Sequence, residues 1–173
     1  MVSYRVLRRT DVAEVQSVAR KAWKYAYRKY LSPATIRRFV SERYSTSSFE
    51  KFVFPSMERG DSQFYLATYM GKIIGYSNVG RGEWGWELYR IYLLPEYIGK
   101  GVGRKLPHLA ESFLRQKKVK NYHLYVYVNN ELGIEFYLRN GFVRLKGKDK
   151  NYAEVCFQKK LTGPASRQDH SNP

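Results

Sequence analysis

Residues 87–103 read ELYRIYLLPEYIGKGVG: strand-forming positions from Glu87 to Leu94, a Pro95-Glu96 break, and a loop of Ile98, Gly99, Lys100, Gly101, Val102 and Gly103. A helical pattern follows from Arg104 to about Lys117, with Leu106, Leu109, Ala110, Phe113 and Leu114 on one face. A strand that delivers a glycine loop to a helix N-terminus leaves backbone N–H groups without intrahelical acceptors, and the helix dipole adds positive potential there. Anions bind at such places, and small side chains let a phosphate approach the main chain. The loop therefore predicts a phosphate-bearing cofactor seated on Gly99 to Arg104. Alone, the pattern also fits a plain strand-to-helix connection. Arg104 stands where the dinucleotide fingerprint needs its third glycine, and no Ser or Thr follows a Gly-Lys pair as in a P-loop.

Working outward, Tyr4, Val6 and Leu7 predict a first strand, and Asp11 with Glu14 fits a capping box for an amphipathic helix ending near Tyr30. Ser32-Pro33 opens a second helix through Val40, and a third segment runs from Ser48 to Arg59, closing at Gly60. From Gln63 the period becomes two: a strand to Tyr69, a Met70-Gly71 turn, a strand from Lys72 to Val79, and a further turn from Gly80 to Gly85. Pro107 is placed in the first turns of the helix after the loop, where a missing N–H costs little. Asn121 to Val128 is a β-forming run, Glu131 to Arg139 a helix closed by Asn140-Gly141, and Phe142 to Leu161 a hairpin turning at Gly147 to Lys150. This order implies an α/β fold with a mixed sheet, in which the glycine-loop helix crosses between parallel strands. One domain over 1–162 and a flexible polar tail over 163–173 are expected.

The chain carries 31 Lys plus Arg against 15 Asp plus Glu, a net charge of +16 that favours anionic partners. The basic residues are scattered over nearly every segment, which argues against a dedicated nucleic-acid element. A single cysteine, Cys156, excludes an internal disulfide framework, and no apolar run is long enough to span a membrane, so the reading is cytoplasmic. His108, His123 and His170 lack metal-ligand spacing with each other or with Cys156, and no metal is implied.

Taken together, the element order, the loop from Gly99 to Arg104, and the downstream Asn130, Gly133, Phe136, Tyr137 and Gly141-Phe142 resemble the GNAT (Gcn5-related) N-acetyltransferases over about residues 3 to 161. The segment Ala19 to Ser45, with Trp23, Tyr27, Leu31, Ser32 and Tyr44, is similar to PaiA-like members, which acetylate polyamines. The resemblance implies a mostly antiparallel sheet whose two parallel central strands splay to receive acetyl-CoA, with helices on both faces. It places the diphosphate on the amides of Ile98, Gly99, Lys100, Gly101, Val102, Gly103 and Arg104, and the pantetheine arm along Ile91, Tyr92 and Leu93. An N–H near Ile91 would polarise the thioester carbonyl. Ile98 departs from the family, which often has Gln or Arg there.

By the same resemblance Glu87 is the catalytic base, and Tyr137 the general acid beside the CoA sulfur. The residues alone leave Glu87 open as an ordinary sheet carboxylate paired with Arg or Lys, and Tyr137 as one packed aromatic among 16 tyrosines. Asn130 would contact the cofactor, cap the helix at Glu131, or both. The acceptor is a primary amine: a polyamine such as spermidine or spermine, or a lysine or N-terminal amine of a protein. A polyamine entering a basic protein needs acids at the mouth, for which Glu42, Asp61, Glu83 and Glu87 are candidates. N-terminal-amine acetylating relatives often carry a glutamate on the second central strand, where this chain has Tyr125. A non-catalytic module binding CoA or nucleic acid is the remaining alternative, and the oligomeric state is left open.

Overall fold

The computed structural model describes residues 1–149 and 153–161; the tail 163–173 and Lys150, the last residue of the expected turn, lie outside them. Seven strands form one sheet in the order β1-β2-β3-β4-β5-β7-β6. They are β1 (Val2–Val6), β2 (Ser62–Tyr69), β3 (Lys72–Gly82), β4 (Gly85–Leu93), β5 (Asn121–Tyr127), β6 (Val143–Arg144) and β7 (Glu154–Lys160). Every neighbouring pair is antiparallel except β4 and β5, which are parallel and joined through the helix α5 (Val102–Gln116). The expected mixed sheet, with its one parallel pair at the centre, is the observed one.

The remaining helices are α1 (Val12–Tyr27), α2 (Pro33–Arg43), α3 (Thr46–Ser48), α4 (Phe54–Glu58) and α6 (Glu131–Arg139), with a π-helical turn Phe49–Val53 linking α3 to α4. Ser32 caps α2 as its sequence predicts, its hydroxyl accepting from the Thr35 amide at 3.1 Å. One buried cluster lies beneath α1, α2 and β1 to β3 and includes Val15, Phe49, Phe64, Leu66 and Tyr76. A second joins α5 to β5 and β7 through Ala110, Leu114, Tyr122, Leu124 and Phe157. Ile91 on β4 packs against both, so the point where the cores meet is also where the parallel strands part.

Four local expectations are corrected. Asp11 does not cap α1: its carboxylate takes a bidentate pair from Arg5 at 2.6 and 2.8 Å and the Arg8 amide at 2.7 Å, while Glu14 accepts from the Ile73 amide at 2.9 Å. Partners brought by the fold displace the local capping bonds. The turn expected over Gly80 to Gly85 is present but shorter, because β3 runs to Gly82 and β4 starts at Gly85, leaving Glu83 and Trp84 as the turn. Helix α1 stops at Tyr27, and a turn with Tyr30 N–H on the Tyr27 carbonyl follows. Pro107 is the sixth residue of α5, since the helix starts at Val102, so it removes a genuine hydrogen bond to the Gly103 carbonyl. At that position the ring faces the main chain of a glycine, the residue with least bulk to meet it.

Candidate active site

Strands β4 and β5 share a single register pair, Glu87 with His123. Beyond it they diverge, and a cleft of about 600 Å³ opens between Leu88, Tyr89, Ile91, Tyr92 and Leu93 of β4 and Tyr125 and Val126 of β5. A bulge assists the opening: against β3, Val79 pairs Leu88 and Asn78 pairs Arg90, so Tyr89 is the extra residue. The same cleft reaches Ile98, Gly99, Gly101, Gly103 and Arg104 of the loop, Asn130 and Tyr137 at α6, and Ala22, Tyr25, Ala26 and Tyr27 of α1. It thus gathers most of the site residues expected from sequence. Lys100, Val102 and Glu87 do not line it, and Lys100 lies with its ammonium 5.7 Å from the Tyr97 ring.

The loop is built to expose main chain. Gly99 has φ +81° and Gly101 φ +78°, a backbone that side-chain-bearing residues rarely adopt, and a Cβ on either would meet nothing within 4 Å. Gly103 serves packing instead, since a Cβ there would stand 3.1 Å from Leu93 and its lack of a side chain lets α5 approach β4. The Tyr4 hydroxyl on the Val102 carbonyl, 3.2 Å away, ties the start of α5 to β1. The amides of Ile98, Lys100 and Arg104 donate within the loop, to Pro95, Tyr97 and Gly101. Among the described residues, those of Gly99, Gly101, Val102 and Gly103 have no backbone acceptor, which narrows the expected cradle to four N–H groups at a helix N-terminus. The open space above Gly99 and Gly101 and these amides without backbone acceptors fit a diphosphate.

On the opposite wall the Asn130 carboxamide caps α6 by accepting from the Gly133 amide at 3.1 Å, and it lines the cleft as well; both expected roles are compatible with its position. Tyr137 packs edge-on to Phe136 and Phe142 at centroid separations of 5.5 and 5.6 Å. Burial pushes its phenol well above the ordinary range, so the hydroxyl stays protonated and able to donate. Tyr27 and Tyr92, with hydroxyls 3.2 Å apart, are also raised by burial and stand on the same cleft.

At the fork, Glu87 Oε2 lies 3.7 Å from His123 Nε2, and both side chains are largely buried. The other acids nominated from sequence are elsewhere: Asp61 engages Arg59 at 3.2 Å, Glu42 is exposed on α2, and Glu83 is exposed in the β3–β4 turn. A carboxylate not anticipated, Glu154, is the register partner of Tyr127 and so shares the β5 face that carries His123 and Tyr125. Tyr27 of α1 and Tyr30 of the turn that follows it stand over Tyr127, at 6.4 and 6.0 Å between centroids. Sequence reasoning also missed His123, whose place opposite Glu87 needs the parallel register to be seen. Among the described residues no group of three or more His, Cys, Asp or Glu could hold a metal ion, and no helix is long and apolar enough to cross a membrane.

Chemically, a diverging strand pair with a helix-terminal anion cradle at one end and a buried Glu–His pair at the other can hold a long phosphorylated carrier and present its far end to a nucleophile. Comparison with known proteins agrees. The model of the acetyltransferase (GNAT) family matches residues 16–142. The chain is 30% identical over 159 residues to spermidine N(1)-acetyltransferase of Thermoplasma acidophilum, covering 92% of this chain and 97% of that one. The crystal structure of the PaiA N-acetyltransferase of the same organism in complex with coenzyme A superposes with a TM-score of 0.85 at 29% identity, over 92% of this chain and 99% of that chain. The ribosomal-protein-S18-alanine N-acetyltransferase of Escherichia coli shares the fold, with a TM-score of 0.63 at 17% identity over 96% and 98% of the two chains.

Proposed function

The chain belongs to the acetyltransferase (GNAT) family and is an acetyl-CoA-dependent N-acetyltransferase, and on that premise we propose that its acceptor is a primary amine of a polyamine such as spermidine. The observation that carries the acceptor reading is the face of β5: His123, Tyr125 and Tyr127 in alternation, Glu87 beside the first and Glu154 opposite the last. The four residue steps from His123 to Tyr127 span roughly 13 Å, comparable to an extended short polyamine. Tyrosine rings receive methylenes and ammonium groups alike, and carboxylates at the two ends offset the repulsion from a protein of charge +16. Likeness to a relative named for spermidine supports the same reading.

Gly99, Gly101, Val102 and Gly103 would hold the diphosphate by their amides, with Arg104 adding charge, and Ile91, Tyr92 and Leu93 would hold the pantetheine arm along the open edge of β4. Acetyl-CoA supplies the thioester-borne acetyl group. An N–H near Ile91 donates toward the acyl oxygen, and Glu87 takes a proton from the incoming ammonium so that the nitrogen can attack. Tyr137 donates to the leaving sulfur. Because its phenol is raised while a thiol ordinarily titrates near about 8.5, outright transfer is uphill; its contribution is a hydrogen bond to the developing charge.

The competing acceptor, an amine on an acidic protein, is favoured by the net charge alone. Thiol release from acetyl-CoA, followed with spermidine, lysine-bearing peptides and free α-amine peptides, separates the two. Spermidine is expected to be the best acceptor, and absence of turnover with it at millimolar concentration removes the polyamine reading.

A further inference from the structure

The basic charge is unevenly placed. Residues 20–43 hold eight of the 31 Lys and Arg of the chain and one of its 15 acids, Glu42. What reads as scatter along the sequence becomes a concentrated face once α1 and α2 pack together. On α1 the residues Val15, Val18, Ala19 and Ala22 are buried, and Arg20, Lys21, Lys24 and Arg28 are exposed. At 3.6 residues per turn those four cations lie within an arc of about 100° opposite the buried side. Lys29 follows in the turn after α1, and α2 adds Arg37, Arg38 and Arg43, all exposed. Among the described residues none of the eight pairs with a carboxylate, whereas Arg5, Arg59 and Arg139 elsewhere do. Like charges four residues apart, as Arg20, Lys24 and Arg28 are, repel across successive turns. An acid between them would relieve that repulsion, and α1 has none beyond Glu14.

We propose that the α1–α2 face is a docking surface for the phosphate backbone of double-stranded RNA. The ridge from Arg20 to Arg28 rises about 12 Å, a length over which one strand of a duplex carries roughly three to four phosphates. Five of the eight cations are Arg, whose fork of N–H donors suits phosphate oxygens. No Asn or Gln lies between 20 and 43 to read adenine edges in the major groove of DNA, which fits the shape-and-phosphate recognition of an RNA duplex. Tyr25 is the one large apolar side chain exposed in this segment, with the Arg28 guanidinium 4.3 Å from its ring, so the face has nothing to sink into a lipid bilayer. The docking goes beyond the acetyl transfer and does not depend on the acceptor, but it bears on it. Tyr25, Ala26 and Tyr27, at the end of the ridge, line the cleft. A duplex carries a condensed atmosphere of cations. On the polyamine reading the acceptor is one of those cations, and a docked duplex brings it to the mouth and cancels the repulsion from a protein of charge +16.

The test is fluorescence anisotropy of a labelled RNA duplex of about 20 base pairs, titrated with the full chain at about 50 to 200 mM salt. Three proteins are compared: the wild type, the α1 variant with Arg20→Gln, Lys21→Gln and Lys24→Gln together, and a control with Lys51→Gln, Lys72→Gln and Lys120→Gln. The control removes the same charge from exposed positions outside the face. The wild type should bind with log affinity falling linearly in log salt. The α1 variant should bind about tenfold more weakly or worse and lose about two to three units of salt slope, one for each phosphate contact removed. The control should change affinity less than about threefold, as expected of long-range charge alone. Melting temperatures check folding, and Arg37→Gln with Arg38→Gln on α2 must also weaken binding if the α1 variant does not fold. No binding by the wild type at micromolar protein, or equal losses in the α1 and control variants, overturns the proposal. So does binding as tight or tighter to a DNA duplex of the same length, or to poly-glutamate of matched charge.

Discussion

Replacing Gly101 by Ala separates the backbone role of the glycine loop from its role in binding. Gly101 is the residue before the first turn of α5, with φ +78° and open space where a Cβ would go. The methyl meets no protein atom, so the cost to the free protein is backbone strain alone, about 1–2 kcal/mol, or roughly 2–8 °C in melting temperature for a chain of this size. The space it fills is where a diphosphate must approach the four free amides. Charge-assisted hydrogen bonds are worth about 1.5–3 kcal/mol each, so loss or lengthening of one weakens CoA by about 10–100-fold. Gly71 supplies the control. It lies in the β2–β3 turn with φ +76° and equally open surroundings, so Gly71→Ala should cost the same stability and leave CoA binding unchanged. Melting curves and calorimetric CoA titrations of both variants are the assay. Equal CoA affinity in Gly101→Ala and Gly71→Ala would refute the cradle, and a large unequal loss of stability would refute the claim that the Cβ position is open.

Three further outcomes are expected. Tyr137→Phe removes one hydrogen bond to the developing charge and should lower kcat about 10–100-fold in steady-state assays while CoA affinity changes less than about twofold, since the ring packing is kept. Glu111, 2% exposed, binds Lys159 at 2.6 Å and the Tyr122 hydroxyl at 2.9 Å; Glu111→Ala strands both and should destabilise by about 3–5 kcal/mol in urea unfolding. Arg5 and the Arg8 amide hold the Asp11 carboxyl below its ordinary value. Its contribution is therefore present above about pH 4, the unfolded value, and is lost as pH falls through the folded one; Asp11→Asn should be less stable at pH 7 and should flatten the acid decline in unfolding experiments.

The glycine loop is readable because its cause is local: glycines at 99 and 101 answer a backbone requirement that no neighbour elsewhere in the chain sets. The sheet order around β4 and β5 follows from helix length and strand alternation for the same reason. What escapes the sequence depends on partners distant along the chain. Asp11 and Glu14 have the spacing of a cap, yet Arg5 and Ile73 take their oxygens once β1 and β3 are in place. Glu111 sits on α5 looking like a solvent-facing acid, and only β5 and β7 bring Tyr122 and Lys159 to it. His123 is unremarkable until the parallel register sets it against Glu87, and the bulge at Tyr89 leaves no mark in composition. Pro107 turns on a boundary: starting α5 at Val102 instead of Arg104 moves the proline past the turn where its missing N–H is harmless.

The most direct measurement is a crystal structure of the protein with CoA bound. Diphosphate oxygens within about 3 Å of the amide nitrogens of Gly99, Gly101, Val102 and Gly103, with the sulfur in the cleft between Ile91 and Tyr137, is the predicted result. A diphosphate held elsewhere by side chains, with those four amides turned to solvent, would contradict the account.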